Sequence, residues 1–493
     1  MRLISSARVT TLLTLLSQFF AFLRVAVTAY YFGVSHEVDA YNLSLAVPVF
    51  FASVIGGWLQ VGFVGKYINA NNKKKRIDAS TLRLSTFLSV LSVGLCIFFA
   101  TVALKGVMID ILVPDEQYET RAAMDRIFLI VTFTLIPTAI VEFLCLVLNC
   151  HGKFFSASFS HVVNATASTA ILLLWNLSEL SLAWSLLFGW FAQLLFIFFA
   201  YKKMRLKREI KIQDGIRHVT DILAVMPKIL PAAIFINLSQ VVLQAFCARL
   251  GVGAVSIIGY ALKLHVALSQ VLIIGVGTVL LPYAADLLSK SNNDKLLGVY
   301  RALFRSSLFL AVIILALIQL FGDEAIQLLF QRGQFSSEYT KSVQEQWFFL
   351  SLALFPFAIS TFIAKIFQAK ASAETIVFAA AISFFTTLSV SSFAVYQGSL
   401  TILVLSFFAS QAAIFVFYLL KFNSIFGSID GLSGVVKTAT HAIFLAFIIY
   451  LVDLVIPNGI LEVASLDFLF RAISASLLIA VYSFFLFRKF KFY

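Results

Sequence analysis

SLAWSLLFGWFAQLLFIFFAYKKMRLKREIKIQDGIR, residues 181–217, holds the reading that decides the fold: a run of twenty-one residues without a charge, then Lys202, Lys203, Arg205, Lys207, Arg208, Lys211 and Arg217 crowded into one connection. At about 1.5 Å rise per residue, such a run as a helix crosses the ~30 Å of hydrocarbon in a bilayer. The basic stretch that follows must then stay on one side. The same alternation runs through the chain, with fourteen apolar runs starting near Val9, Ala40, Leu84, Ile127, Phe159, Leu182, Ile222, Val255, Leu303, Gln346, Thr375, Leu400, Thr438 and Phe468. With alternate connections assigned to opposite sides, 27 of the 37 Lys and Arg share the side of the amino terminus. Lys105, Arg121, Arg126, Arg249, Arg332, Lys341 and Arg471 fall on the other. The positive-inside rule therefore predicts that both termini are cytoplasmic. Arg24, Lys228 and Lys263 lie within the spans.

Composition agrees. Of 493 residues, 61% are hydrophobic and 12% charged, against about 25% charged in soluble domains. This predicts an integral, all-α polytopic membrane protein. The net charge of +13 sits in short connections, where it sets topology and meets anionic membrane lipid, so nucleic acid is not an expected partner. The first run continues past Arg24 to Tyr31 without a small-residue cleavage site, so it reads as a retained span and not a signal peptide. Cys96, Cys145, Cys150 and Cys247 fall in apolar runs and read as packing residues. The six histidines, His36, His151, His161, His218, His265 and His441, lack ligand spacing, so no metal site is expected. There is no GxxxxGK(S/T) phosphate loop.

The longest connections, near 67–83, 202–220 and 321–345, are too short to fold alone, so any site must be built within the helix bundle. YNLSLAV (41–47) and YALKLHV (260–266) share the pattern Y-x-L-x-L-x-V at an offset of 219, and Ile109 and Leu112 match Ile326 and Leu329 at 217. An offset of six spans relates segments of like orientation. It predicts a parallel repeat of two six-helix lobes, residues 1–214 and 215–435, with 436–493 as an added helix hairpin. Pro48, Pro137, Pro227, Pro231 and Pro356 fall inside spans. They either bend helices around a cavity or reflect the general frequency of proline in membrane helices.

Arg24 lies deep in the first span, where a charge costs about 2.5–3.5 kcal/mol, so it faces a polar interior or pairs with a backbone carbonyl. Lys263 lies in the eighth span, about two turns from its outer end, with snorkelling as the alternative. Lys228, between Pro227 and Pro231, either reaches cytoplasmic headgroups or serves as a coupling or cavity residue. Glu142 is the one carboxylate deep in a span, either a proton or cation site or a partner for one of these cations. His265 either lines a cavity beside Lys263 or is packed. Cations in a low-dielectric cavity bind an anion such as a diphosphate, which Arg grips with paired hydrogen bonds. An exporter of cations would need buried carboxylates instead. A membrane-embedded hydrolase or transferase would show paired carboxylates or a metal cluster, and a polymerase a large external loop. The chain is not expected to be an enzyme.

Four blocks carry a resemblance. RVAVTAYYFGVSHEVDAY (24–41), LNCHGKF (148–154), GYALKL (259–264) and LLFQRGQFSSEYT (328–340) resemble, in order, R-D-x-x-x-A-x-x-F-G…D-A-F, L-N-x-x-x-(K/R)-F, Y-A-(D/N)-R-L and L-F-x-x-G-x-F-(S/T)…T of the MurJ (MviN) family of lipid II flippases, within the multidrug/oligosaccharidyl-lipid/polysaccharide exporter superfamily. The resemblance implies a flippase of the bacterial inner membrane, working as a monomer by alternating access. Its cargo would be a polyprenyl-diphosphate-linked glycan, lipid II for peptidoglycan synthesis. Arg24 then stands for the family's first-span arginine, Asp39 for the aspartate opening the second span, and Lys263 for the eighth-span arginine. Asp39 alternatively serves as an acid at a helix N-terminus, favoured by the dipole. Gln18, a candidate coupling or cavity residue, stands where a second first-span arginine is expected and Val25 where an acid is. Within PVFFASVIGGWL (48–59), Val49, Ala52 and Gly57 stand at Asn, Arg and Glu positions. These departures keep an exopolysaccharide or O-antigen repeat unit open as cargo, and the superfamily keeps open an ion-coupled small-molecule exporter. No cofactor is implied. Transport would be coupled to Na⁺, to H⁺, or to the membrane potential alone.

Overall fold

The computed structural model describes residues 2–72, 76–175, 178–206, 226–370 and 372–455, together with 471, 474, 475 and 479. Every long element among them is an α-helix: α1 (Arg2–Phe32), α2 (His36–Gly62), α3 (Val64–Asn72), α4 (Arg76–Ala103), α5 (Lys105–Leu112), α6 (Tyr118–Phe133), α7 (Leu135–Cys150), α8 (Phe154–Leu174), α9 (Glu179–Lys203), α10 (Met226–Ala248), α11 (Ala254–Ser289), α12 (Asn293–Phe330), α13 (Ser337–Ser351), α14 (Leu354–Ala369), α15 (Ala373–Gln397), α16 (Leu400–Phe426) and α17 (Leu432–Val455). Among the described residues eleven helical segments are long and apolar enough to cross a membrane, or twelve if α13 and α14, bent by 41°, count as one broken span. The eighth run of the sequence falls in the 36-residue α11. The fourteenth, from near Phe468, lies almost wholly outside the described residues, so the expected count of fourteen is not established.

Helix boundaries recur at the 219-residue offset of the Y-x-L-x-L-x-V pair. Helices α6 and α7 break at Thr134, and α13 and α14 break at 352–353. Pro137 and Pro356 are the third residues of α7 and α14. Proline is tolerated there because the first N–H groups of a helix have no intrahelical acceptor, and further along it would cost a bond. The ladder restarts identically in both, with Thr138 N–H donating to the Thr134 carbonyl at 3.0 Å and Phe357 N–H to the Ala353 carbonyl at 2.9 Å.

By packing, the chain divides into one unit of residues 1–256 and 395–400 and another of 257–394 and 401–493. These packing units are drawn from contacts, the repeat lobes from sequence correspondence. In the first unit, α1 packs on α8, α8 on α9, and α2 on α6 and α10. Its core gathers Ile55, Trp58, Leu59, Phe63 and Tyr67 of the second span against Leu82, Val90, Phe143, Leu144, Val147 and Ile197. Small residues let α8 and α9 approach closely: a Cβ on Gly189 would lie 2.8 Å from that of Ser168 and 3.1 Å from the Asn164 carbonyl. Close van der Waals contact of this kind holds helices together where lipid competes for apolar surface.

In the second unit, Ile359, Phe362, Ile363, Ile366 and Phe367 pack against Tyr300, Phe304, Tyr418 and Phe422. Phe309, Ile313 and Phe321 hold α17 through Ala442, Leu445 and Ile449. A bidentate pair from Arg305 to Asp430, at 2.7 and 2.8 Å, clamps the connection into α17 against α12. Large apolar side chains also cover the outside, among them Leu12, Phe19, Phe99, Phe198, Phe378 and Leu420. In water such a surface would aggregate, and in a bilayer it meets lipid without penalty.

Candidate functional site

Arg24 is the centre of the candidate site. Four residues beyond Phe20 on α1, its half-buried guanidinium is held by neutral groups. Nη1 donates to the Tyr41 hydroxyl at 2.8 Å. Nη2 donates to the Leu182 carbonyl at 3.2 Å and the Ser185 hydroxyl at 3.3 Å. The guanidinium carbon stands 5.3 Å from the Tyr41 ring centroid, a cation–π contact. Nε is buried with no hydrogen-bond partner. None of the described partners of Arg24 is a carboxylate. Its charge is solvated by dipoles and an aromatic face without being neutralised, so the position retains attraction for an anion.

Local sequence explains the arrangement. Ser185 lies on α9 in SLAWSLLFG, one polar residue among apolar ones, and its hydroxyl also donates to the Leu182 carbonyl at 3.0 Å. The same carbonyl accepts from Arg24 Nη2 as well. Tyr41 is 5% exposed on α2, which directs its hydroxyl across to α1. Neither Tyr41 nor Ser185 was singled out from the sequence as a site residue. Tyr41 was legible only as the first letter of the repeated pattern, and Ser185 had no signal beyond being polar in a span.

Asp39, one candidate substrate contact, has its carboxylate otherwise occupied. It is 1% exposed. Oδ2 accepts from Gly253 N–H at 2.5 Å, and Oδ1 from Ser256 N–H at 2.7 Å and from the Ser256 hydroxyl. These N–H groups precede and open α11, where the backbone has no internal acceptors. A carboxylate there satisfies two of them and complements the positive helix end. Gly253 is required for this approach, since its φ is +86° and a Cβ would fall 2.6 Å from Val34 Cγ1. Asp39 thus satisfies N–H groups at the start of α11, a different helix from the one whose first turn it occupies.

Lys263 is exposed on α11, in the second packing unit, where Tyr260 three residues earlier is buried between Phe330 and Phe335 with ring centroids 5.5 Å away in each case. His265 is 2% exposed. Its Nε2 lies 3.2 Å from the Ser269 hydroxyl, its ring meets Phe407 edge-on at 5.4 Å, and Nδ1 has no partner. It is a packed histidine, not a neighbour of Lys263 on an exposed face. Glu142 is half-buried on α7, one turn before Cys145. Gln18 is exposed on α1. The side chain of Lys228 lies outside the described residues. Among the described residues no group of three or more His, Cys, Asp and Glu could hold a metal ion.

Comparison with known proteins adds a family. A family model described as lipid II flippase MurJ matches residues 28–466. A probable lipid II flippase MurJ of Borreliella burgdorferi (strain ATCC 35210 / DSM 4680 / CIP 102532 / B31) is 21% identical over 425 residues, covering 83% of this chain and 82% of that protein. One of Aquifex aeolicus (strain VF5) is 26% identical over 345 residues, 66% and 64% of the two chains. Among solved structures, a lipid II flippase MurJ in an inward closed conformation superposes with a TM-score of 0.77 at 19% identity, covering 98% of this chain and 99% of that one. An inward-facing multidrug resistance MATE family transporter of the MOP superfamily superposes with a TM-score of 0.70 at 14% identity, covering 88% and 99%. At these identities the structures speak for the fold.

Proposed function

The chain belongs to the MurJ family of lipid II flippases, and from that premise we propose that it carries lipid II from the cytoplasmic to the outer leaflet, with Arg24 gripping the diphosphate. The observation that carries this reading is the Arg24 guanidinium, held inside a membrane span by Tyr41, Leu182 and Ser185 and by no described carboxylate. An isolated cation at that depth costs about 2.5–3.5 kcal/mol. An anionic headgroup returns that cost through charge-assisted hydrogen bonds, which the planar guanidinium offers to phosphate oxygens in pairs. Lys263 would supply a second cation, a point charge able to follow the diphosphate as it moves.

Transport proceeds by alternating access between the repeat lobes, residues 1–214 and 215–435, and the prenyl tail stays in lipid throughout. Both termini lie in the cytoplasm in this reading, in accord with the bias of Lys and Arg. Moving about two negative charges outward across an inside-negative membrane gains roughly 2.3 kcal/mol per charge per 100 mV. The potential alone suffices as a driving force, and Glu142 is a candidate where an ion is coupled. Asp39 acts by positioning the start of α11 and does not touch the cargo.

A second cargo, the lipid-linked repeat unit of an exopolysaccharide or O-antigen, is favoured by Gln18, Val49, Ala52 and Gly57, which stand where the resemblance implies Arg, Asn, Arg and Glu. Both cargoes share the diphosphate and differ in the glycan. The test is rescue of bacteria depleted of their own lipid II flippase, with membrane insertion verified and Arg24→Ala in parallel. Rescue that requires Arg24 is the expected result. An inserted protein that fails to rescue refutes lipid II as cargo.

A further inference from the structure

Away from Arg24, the first packing unit contains a cleft of about 790 Å³ lined by Ser80, Arg83, Phe87, Phe143, Leu194 and Tyr201 among others. This lies within the ~300–1,000 Å³ of sites that hold small ligands. Its walls come from α4, α7 and α9, and its chemistry is graded along them. Ser80 and Arg83 are in the first two turns of α4, and Tyr201 is in the last turn of α9. Moving away from that end, the lining becomes Phe87, Ile140, Phe143, Leu144, Phe191, Leu194 and Leu195, wholly apolar. Leu195 and Phe198 are 58% and 50% exposed, so the apolar part opens sideways where a bilayer would lie.

The polar end is cationic. Arg83, 7% exposed, stands with its guanidinium carbon 5.9 Å from the Tyr201 ring centroid and is hydrogen-bonded with Tyr67. The Tyr67 hydroxyl also meets His151 Nε2 at 2.8 Å. Burial and the neighbouring Arg83 hold the His151 imidazole below its ordinary range, which favours its neutral form. Exposed Lys66, Lys202 and Lys203 flank the same end, adjacent in chain to Tyr67 and Tyr201. One elongated cleft thus offers a cation backed by lysines at one end and an apolar channel open to lipid at the other.

We propose that this cleft binds one anionic glycerophospholipid, with its phosphate at Arg83 and an acyl chain along Phe87, Phe143 and Leu194. A zwitterionic lipid would fill the same channel but would gain less from the cationic end, because its own ammonium offsets the phosphate. The site shares no residue with the Arg24 site, and its occupancy does not depend on which cargo the protein carries or on which leaflet the lysines face.

The test is native mass spectrometry of the purified full-length protein in detergent, titrated with dioleoyl phosphatidylglycerol and, separately, dioleoyl phosphatidylcholine. Soluble glycerol phosphate serves as a competitor. The expected result is a first phosphatidylglycerol bound about five-fold tighter than phosphatidylcholine. Arg83→Gln should remove that preference. Leu195→Trp, at an exposed position where folding tolerates the larger ring, should obstruct the channel and weaken binding of both lipids while Arg83 remains. Equal affinity for the two lipids, or phosphatidylglycerol binding unchanged in both variants, overturns the proposal. So does full displacement by glycerol phosphate, because it would mean that only a phosphate is bound. Thermal unfolding of each variant distinguishes a lost site from a lost fold.

Discussion

Tyr41 and Tyr260 hold the same place in two copies of one pattern, yet Tyr41 meets a guanidinium and Tyr260 lies between two phenylalanine rings. Tyr41 accepts a hydrogen bond from Arg24 at 2.8 Å and lies under its guanidinium. Tyr260 sits against Phe330 and Phe335. The positions 219 residues after Arg24 and Asp39 are Leu243 and Ile258, both buried and apolar. The helix boundaries repeat down to the proline near the start of α7 and α14, while Arg24 and Asp39 of the first copy have only apolar counterparts in the second. A parallel repeat therefore need not be functionally symmetric: a tyrosine ring packs equally well against a guanidinium and against a phenylalanine, so the scaffold tolerates either neighbour.

The comparison can be broken most directly at Arg24. Arg24→Ala is expected to lower transport at limiting substrate by about 30-fold or more, the scale of truncating one partner of a buried charge pair. Arg24→Lys should keep part of the activity. The matched change Leu243→Ala should cost stability, about 2–5 kcal/mol for a buried leucine, without a specific loss of transport per folded molecule. Rescue growth combined with thermal unfolding in detergent separates the two. Loss of transport by Leu243→Ala in a stably folded protein would refute the one-sided assignment.

A smaller effect should appear at the carboxylate. Asp39→Ala leaves the Gly253 and Ser256 N–H groups buried without their acceptor and should cost about 2 kcal/mol, seen as a lowered Tm. Gly253→Ala should be destabilising by about 1–3 kcal/mol through its positive φ and the contact with Val34. Asp39→Asn should be milder than Asp39→Ala, since the amide oxygen still accepts one bond. If Asp39→Ala abolished transport with an unaltered Tm, a direct role in cargo binding would replace the helix-terminus role. The smallest effect is expected from the paired tyrosines. Tyr41→Phe removes one hydroxyl acceptor from Arg24 but keeps the ring, a loss of about 1 kcal/mol and a few-fold in cargo affinity. Tyr260→Phe keeps the packing against Phe330 and Phe335 and should leave transport unchanged. Equal effects of the two would erase the distinction between the copies.

Much of this was legible in the sequence, and the limits fall at particular residues. Apolar runs and basic connections delimit helices because a membrane span must be about twenty residues long and satisfy its own backbone. The repeat could be read from seven letters because helix boundaries follow the chain locally. Arg24 stood out because a charge in an apolar run is costly. Tyr41 and Ser185, in contrast, are unremarkable in a span until the helices pack and bring them to the guanidinium. For His265 the sequence allows a cavity or the interior, and its burial against Phe407, on a helix over a hundred residues away, is visible only in the folded chain.

Asp39 shows the same division most sharply. Its position near the start of a helix is local information, and the sequence could offer a dipole role for it. That its carboxylate serves a different helix, through N–H groups more than two hundred residues later, depends on a close approach at Gly253. Sequence alone determined membrane insertion, the apolar segments that become the described spans, and the depth of Arg24 in the first of them, because each follows from the cost of exposing charge or backbone to hydrocarbon. Only the tertiary structure decided which polar groups solvate that arginine, which carboxylate is already committed, and where α4, α7 and α9 leave a cleft. Those outcomes rest on contacts between segments far apart in the chain, whose geometry no local pattern of hydrophobicity or charge encodes.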